Sequence, residues 1–299
     1  MPPPAIHRRD ALRLIAGGTL ALASCGQSGA GKAVVGSKNF TEQIILGELL
    51  AQQIEAHTSL KVDRRLNLGG TLLCHEGLLA GRLDLYVEYT GTALTAILKE
   101  KLSSDASAVY STVRNDYRDR FGLYVGPPLG FNNTFAIIVR KEDAAQLHLR
   151  TISDLAPHAG QMRPGFGYEF MERPDGYRGL SQAYALRFGS EPRIMDLGLL
   201  YRAMEQKQVD VVAGNSTDGL IATLGLVVLE DDRHFFPPYQ AVTVVRNATL
   251  SRYPELRSHL DALGGKISED DMRGLNYALD GQHRDATVVV REFRAARGL

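Results

Sequence analysis

The stretch "RLDLYVEYTGTALTAIL" sets Glu88, Tyr89, Thr90, Gly91 and Thr92 between an apolar run and a helical pattern. A plain turn needs none of that chemistry. Tyr89 offers a ring face at a strand end, Thr92 either caps the next helix or gives its hydroxyl to a ligand, and Glu88 can pair with a base. Two other strand ends are built in a similar way. In "GSKNFTEQ", Lys38 is either a cation that meets an anionic group beside a helix N-terminus, or a surface lysine next to the cap Asn39. In "FFPPYQAV", two prolines fix the backbone of Tyr239, which then serves stacking or domain-interface packing. Arg173 in "MERPDGYRG" carries a fork that suits a carboxylate ligand, or a neighbour such as Glu172 or Asp175. Such residues at strand ends are where open α/β sheets hold ligands.

Catalytic and metal chemistry fit less well. "GNSTDG" offers Ser216 and Asp218, but the pattern is not G-x-S-x-G and no His occupies a comparable strand-end motif. "LGG" near residue 70 lacks the lysine of a phosphate loop. His75 and Glu76 adjoin, yet position 79 is Leu79 where a zinc helix needs a second His, so no metal site is expected.

The elements that must carry these residues alternate. "AVVGS", "LKVDRRLNL" and "LDLYVEY" read as strands, and helical patterns follow them: "NFTEQIILGELLAQQIEAH", residues 72–81 and "TALTAILKE". Asn39 and Glu42 have the spacing of a capping box for the first helix. The alternation predicts an α/β fold with mostly parallel sheets. Pro127 and Pro128 precede one β-rich run, and "FFPPYQAVTVVRN" repeats that arrangement downstream. These paired crossovers bracket a second α/β series and predict two lobes, residues 33–133 with 239–299 and residues 134–238. A hinged cleft between lobes is a usual place for a small ligand.

Composition excludes other classes. Lys+Arg of 34 balances Asp+Glu of 34, so no net field draws the chain to nucleic acid. Trp is absent and Tyr stands at 12, so an aromatic site must rest on tyrosine and phenylalanine. Residues 1–25 read as an export signal: Arg8 and Arg9, an apolar run, then "LASC", close to a lipobox with Cys25 as the lipidated residue. The paired arginines also resemble a twin-arginine signal, and an uncleaved anchor helix is the alternative. Residues 26–32 form a linker. Only Cys74 would then remain, with no internal disulfide partner.

Taken together, "VVGSKNFTEQIILGELLAQQIE", "LNLGGT", "DLYVEYTGTALTAIL", "RPDGY", "QVDVVAGNSTDG", "LEDDRHFFPPYQAVTVVR" and "MRGLNYALD" resemble the substrate-binding proteins of quaternary-amine osmoprotectant ABC transporters. The likeness runs in order from about Ala33 to the C-terminus. It implies a type II periplasmic-binding-protein fold, two α/β lobes joined by two crossover strands, with no cofactor. It further implies a monomeric, extracytoplasmic, lipid-anchored receptor that passes a betaine-type solute to an ABC permease.

Carried over by motif, Tyr89 and Tyr239 become walls of an aromatic box for the quaternary ammonium, and Lys38, Thr92 and Arg173 become contacts for the carboxylate. Two positions depart from the family pattern. Phe135 stands where relatives often have tyrosine, and Asn215 where they can have an aromatic. Asn215 opens the box toward hydrogen bonding and a larger or more polar betaine. Tyr168, Tyr177 or Tyr201 can fill the gap, and Gln43, Asn132 and Asn133 are further polar candidates. Two cationic clamps favour a zwitterion over choline; carnitine, choline and ergothioneine remain alternatives, and an enzyme on this scaffold is the least supported reading.

Overall fold

The computed structural model describes residues 31–299, so the signal segment, Cys25 and nearly all of the linker lie outside the described residues. Two five-stranded sheets, each flanked by helices, organise the chain. The first holds β1 (Lys32–Lys38), β2 (Lys61–Gly69), β3 (Leu85–Tyr89), β4 (Leu123–Asn132) and β10 (Gln240–Arg246), in the order β2-β1-β3-β10-β4. The second holds β5 (Phe135–Arg140), β6 (Pro164–Phe166), β7 (Arg193–Ile194), β8 (Val211–Asn215) and β9 (Leu226–Leu229), in the order β7-β6-β8-β5-β9.

Both sheets are mixed rather than mostly parallel. β1 runs parallel to β2 and β3, and β6 runs parallel to β7 and β8. β10 lies antiparallel between β3 and β4, and β5 antiparallel between β8 and β9. The reason is connectivity: a strand that arrives from the other lobe enters the sheet from its far end.

The helix Thr41–His57 is buried over most of its length, from Glu42 to Ile54. It packs on β1, β2 and β3 and against the three C-terminal helices Glu255–Asp261, Glu269–Asp280 and Ala286–Arg297. The expected Asn39/Glu42 capping box does not form. The N-cap is Phe40, which makes no side-chain cap, and Glu42 turns inward. After β3, Thr90–Thr92 makes a single helical turn and Ala93–Ile97 continues as a π-helical turn, in place of the ordinary helix expected there. Cys74 is fully buried, and burial pushes its thiol up to about 12.

Pro127 and Pro128 do not mark the crossover; they lie inside β4, beside a register irregularity against β10. Proline is tolerated where a ladder is irregular. The chain leaves the first sheet through Asn133 and Thr134 and returns through Pro237, Pro238 and Tyr239. The two crossings are stitched together: Asn133 N–H donates to the Tyr239 carbonyl at 3.0 Å, and Tyr239 N–H donates to Asn132 Oδ1 at 2.6 Å.

Candidate functional site

A cavity of about 130 Å³ opens between the two sheets. Strand ends build it. Lys38 is the last residue of β1 and Tyr89 the last of β3, while Tyr239 immediately precedes β10. From the other side, Phe135 opens β5 and Asn215 closes β8, directly paired in register. Thr92 and Arg173 complete the lining, so all seven principal sequence-expected residues share one cavity.

Lys38 is not a surface lysine. It is 1% exposed, and its ammonium lies 2.5 Å from Glu88 Oε1 and 2.9 Å from Thr71 Oγ1. The pairing of Glu88 with a base is thus fulfilled by Lys38. Of the neighbours read for Arg173, Asp175 is the one it pairs with. Nε and Nη2 clasp Asp175 at 2.9 and 2.5 Å, and Nη1 reaches Thr92 Oγ1 at 3.0 Å. The Thr92 hydroxyl accepts that bond and caps no helix. Burial by itself would raise the Asp175 carboxyl, but the Arg173 charge and hydrogen bonds hold it below the usual range. Tyr239 also donates its hydroxyl to Asp175.

The same cations sit on the rings. The Lys38 ammonium is 5.0 Å from the Tyr89 centroid, and the Arg173 guanidinium is 4.8 Å from Phe135 and 5.7 Å from Tyr239. Phe135 meets Tyr239 edge-on at 5.8 Å. Each ring therefore has one face committed to a protein cation. Four protons remain for an anion: one on the Lys38 ammonium, one each on Arg173 Nη1 and Nη2, and that of the Thr92 hydroxyl.

Glu42 forms the floor beside the hinge. It accepts from Tyr89 Oη at 2.6 Å, Asn133 Nδ2 at 2.8 Å, Thr217 Oγ1 at 2.5 Å and Asn276 Nδ2 at 3.1 Å. Thr217 belongs to the second lobe, so this carboxylate ties both lobes to the crossing. Burial raises its pKa even against those four donors. Glu169, from the short helix Tyr168–Glu172, reaches across the cleft and accepts from Thr71 N–H at 2.5 Å. Burial would raise its carboxyl, but the charges of Lys38 and Arg173 and the Thr71 bonds bring it below its ordinary value.

Of the secondary candidates, Asn133 lines the cavity and Tyr168 stands 58% exposed at its rim. Gln43 is not brought to it. It is fully buried, and its Oε1 accepts from Lys38 N–H at 3.4 Å. Asn132 serves the crossing. Tyr177 packs on Phe166 and Phe188, and Tyr201 donates to Asp218 at 2.6 Å, so neither fills the gap beside Asn215. Sequence reasoning missed Phe40, Glu169 and Phe170 on the lining. It also missed Thr71 and Glu42 behind it. "GSKNF" and "LNLGGT" held the signals for Phe40 and Thr71.

Residues 31–296 match the OpuAC family, the substrate binding domain of ABC-type glycine betaine transport systems. The chain is 36% identical over 282 residues to the carnitine transport binding protein OpuCC of Listeria monocytogenes, covering 92% of this chain and 91% of that one. It is 37% identical over 267 residues to the ergothioneine transport permease/ergothioneine binding protein EgtU of Helicobacter pylori, covering 89% of this chain and 48% of that longer one. A crystal structure of a glycine betaine/carnitine/choline ABC transporter superposes with a TM-score of 0.73 at 36% identity, over 89% of this chain and 98% of that one. The fold, the interlobe cavity and these likenesses agree: the chain belongs to the OpuAC family of ABC-transporter substrate-binding domains.

Proposed function

We propose that this chain is an extracytoplasmic solute receptor that binds a quaternary-ammonium zwitterion of the glycine betaine class between its lobes and delivers it to an ABC permease. One observation carries the reading: the rings of Tyr89, Phe135 and Tyr239 and the donors Lys38, Thr92 and Arg173 line a single cavity. The solute's ammonium lies against ring surface that Lys38 and Arg173 leave uncovered, about 0.5–2 kcal/mol per ring contact. Its carboxylate takes the remaining protons of Lys38, Arg173 and Thr92. The receptor acts by binding and closure, without catalysis, as a monomer. Its hinges are the two crossings at residues 133–134 and 238–239, which also set the lobe boundaries. Cys25 of "LASC" is the proposed lipid attachment that holds it at the membrane surface.

Carnitine, choline or ergothioneine in the same cavity is the second reading, favoured by identities of 36% and 37% to relatives named for carnitine and ergothioneine. Calorimetric titration with glycine betaine, carnitine, choline and ergothioneine tests both. Saturable binding of at least one supports the receptor; no binding of any at millimolar concentration overturns it.

A further inference from the structure

Two groups on the cavity wall present hydrogen-bond acceptors that neither a carboxylate nor a quaternary ammonium, which has no N–H, can meet with a hydrogen bond. Asn133 lines the cavity and is 6% exposed. Its Nδ2 donates to Glu42 Oε1 at 2.8 Å, and since a carboxylate accepts, this bond fixes the orientation of the amide. Asn133 Oδ1 then has no donor among the described residues. A buried acceptor without a donor is costly and calls for a partner. Glu169 is the second group. Its Oε1 is held by Thr71 N–H, and Oε2 stands 3.9 Å from Arg173 Nη1, beyond hydrogen-bond distance, on a side chain 37% exposed.

Charge points the same way. Lys38 is matched by Glu88 and Arg173 by Asp175, so each cation comes with its own buried carboxylate. Glu169 is therefore an additional negative charge on the wall. Asn215 adds a third acceptor: its Nδ2 turns to Asp218 at 3.3 Å, which leaves the amide oxygen as the other end. The wall thus offers acceptors to which glycine betaine, with no N–H or O–H, can give charge but no hydrogen bond.

We infer that the solute carries a hydrogen-bond donor besides its ammonium and carboxylate, a hydroxyl or a ring N–H, and that Asn133 and Glu169 are the residues that select it. This rests on the quaternary-amine reading and narrows it. A site built to meet a donor discriminates strongly against the analogue without one, because its acceptors are then left unpaired.

The test compares γ-butyrobetaine with carnitine, which differ only by a hydroxyl, together with glycine betaine and the trimethyl betaine of histidine, which carries a ring N–H. Affinities are measured by calorimetry on the wild-type protein and on Glu169→Gln, whose amide can keep the Thr71 bond through its oxygen while presenting N–H in place of an acceptor. Carnitine or the histidine betaine is expected to bind wild type about tenfold or more tightly than both donor-free solutes, and Glu169→Gln is expected to shrink that ratio below about threefold. The tighter of the two donor solutes identifies hydroxyl or ring N–H. Equal or tighter binding of the donor-free solutes overturns the inference and leaves the receptor reading standing. A wild-type preference that Glu169→Gln does not change overturns the assignment to Glu169. If none of the four binds, and neither choline nor ergothioneine does, both readings fall.

Discussion

Arg173, on the second lobe, donates from Nη1 to Thr92 Oγ1 on the first at 3.0 Å, so the proposed anion clamp is also a tie across the cleft. Its other two nitrogens hold Asp175, which is fully buried. Removing the guanidinium strands that carboxylate without a counter-charge. Arg173→Ala is expected to cost about 3–5 kcal/mol of stability and to abolish solute binding. Arg173→Lys keeps the charge but cannot grip Asp175 and Thr92 together. It should fold and bind about tenfold or more weakly. Chemical denaturation and calorimetry check both, and wild-type affinity in Arg173→Lys would show that the fork is dispensable.

Tyr89 does two separable things. Its ring lines the cavity, and its hydroxyl donates to Glu42 at 2.6 Å. Tyr89→Phe keeps the ring and takes one donor from a buried carboxylate that forms no ion pair among the described residues. Affinity should stay within about threefold, while stability falls by about 1–3 kcal/mol. Tyr89→Ala removes the ring and is expected to abolish binding. If Tyr89→Ala binds solute as wild type does, the aromatic box is misassigned.

Acid should help one part of the hinge region. Burial pushes the Asp218 carboxyl up to about 6 from 3.8, against hydrogen bonds from Tyr201 and Asn215 and with the charge of Asp280 adding to the rise. A carboxyl raised in the fold contributes stability that is complete below its unfolded value and is lost as pH rises through about 6. That contribution reaches at most about 3 kcal/mol, less in proportion to the solvent contact Asp218 keeps. Glu42 and Asp280 shift in the same direction. Between pH 4.5 and 7.5, wild type should therefore lose stability relative to Asp218→Asn in urea denaturation. A difference between the two that does not vary with pH would contradict the raised carboxyl.

How much of this was legible in the chain depends on distance along it. Lys38 and Tyr89 stood out because each ends a short apolar run, Tyr239 because two prolines precede it, and the alternation of patterns carried the two-lobed α/β architecture. Glu42 misled because its local spacing fits a cap, whereas its partners Thr217 and Asn276 lie 175 and 234 residues away. Glu169 was invisible for the same reason, since its partner Thr71 is 98 residues off in the other lobe. The charge argument for a zwitterion counted Lys38 and Arg173 as available cations. It could not see that Glu88, 50 residues on, already neutralises Lys38. The mixed sheets escaped notice because the insertion of β10 between β3 and β4 is a matter of topology, and strand composition does not record it.

Gly91 offers a test of how tightly the wall is built. A Cβ placed there would come within 2.7 Å of Tyr239 Cδ1 and 2.8 Å of the Pro238 carbonyl oxygen. The ring could swing away, but the carbonyl belongs to the returning crossover, and Thr90 Oγ1 donates to that same oxygen at 3.0 Å. Gly91→Ala must therefore shift the turn after β3 or the crossover, and either shift moves Tyr239 relative to Tyr89. The variant is expected to lose about 1–3 kcal/mol of stability, as overpacked sites do. Its solute affinity should fall by about tenfold or more, because the shift changes the spacing of the two rings. Gly70→Ala perturbs the other wall of the cleft, since the added Cβ there meets the carboxylate end of Glu169. It should weaken the Glu169–Thr71 tie while the ring pair keeps its spacing. Equal affinity of Gly91→Ala and wild type would mean that the position of Tyr239 does not govern binding.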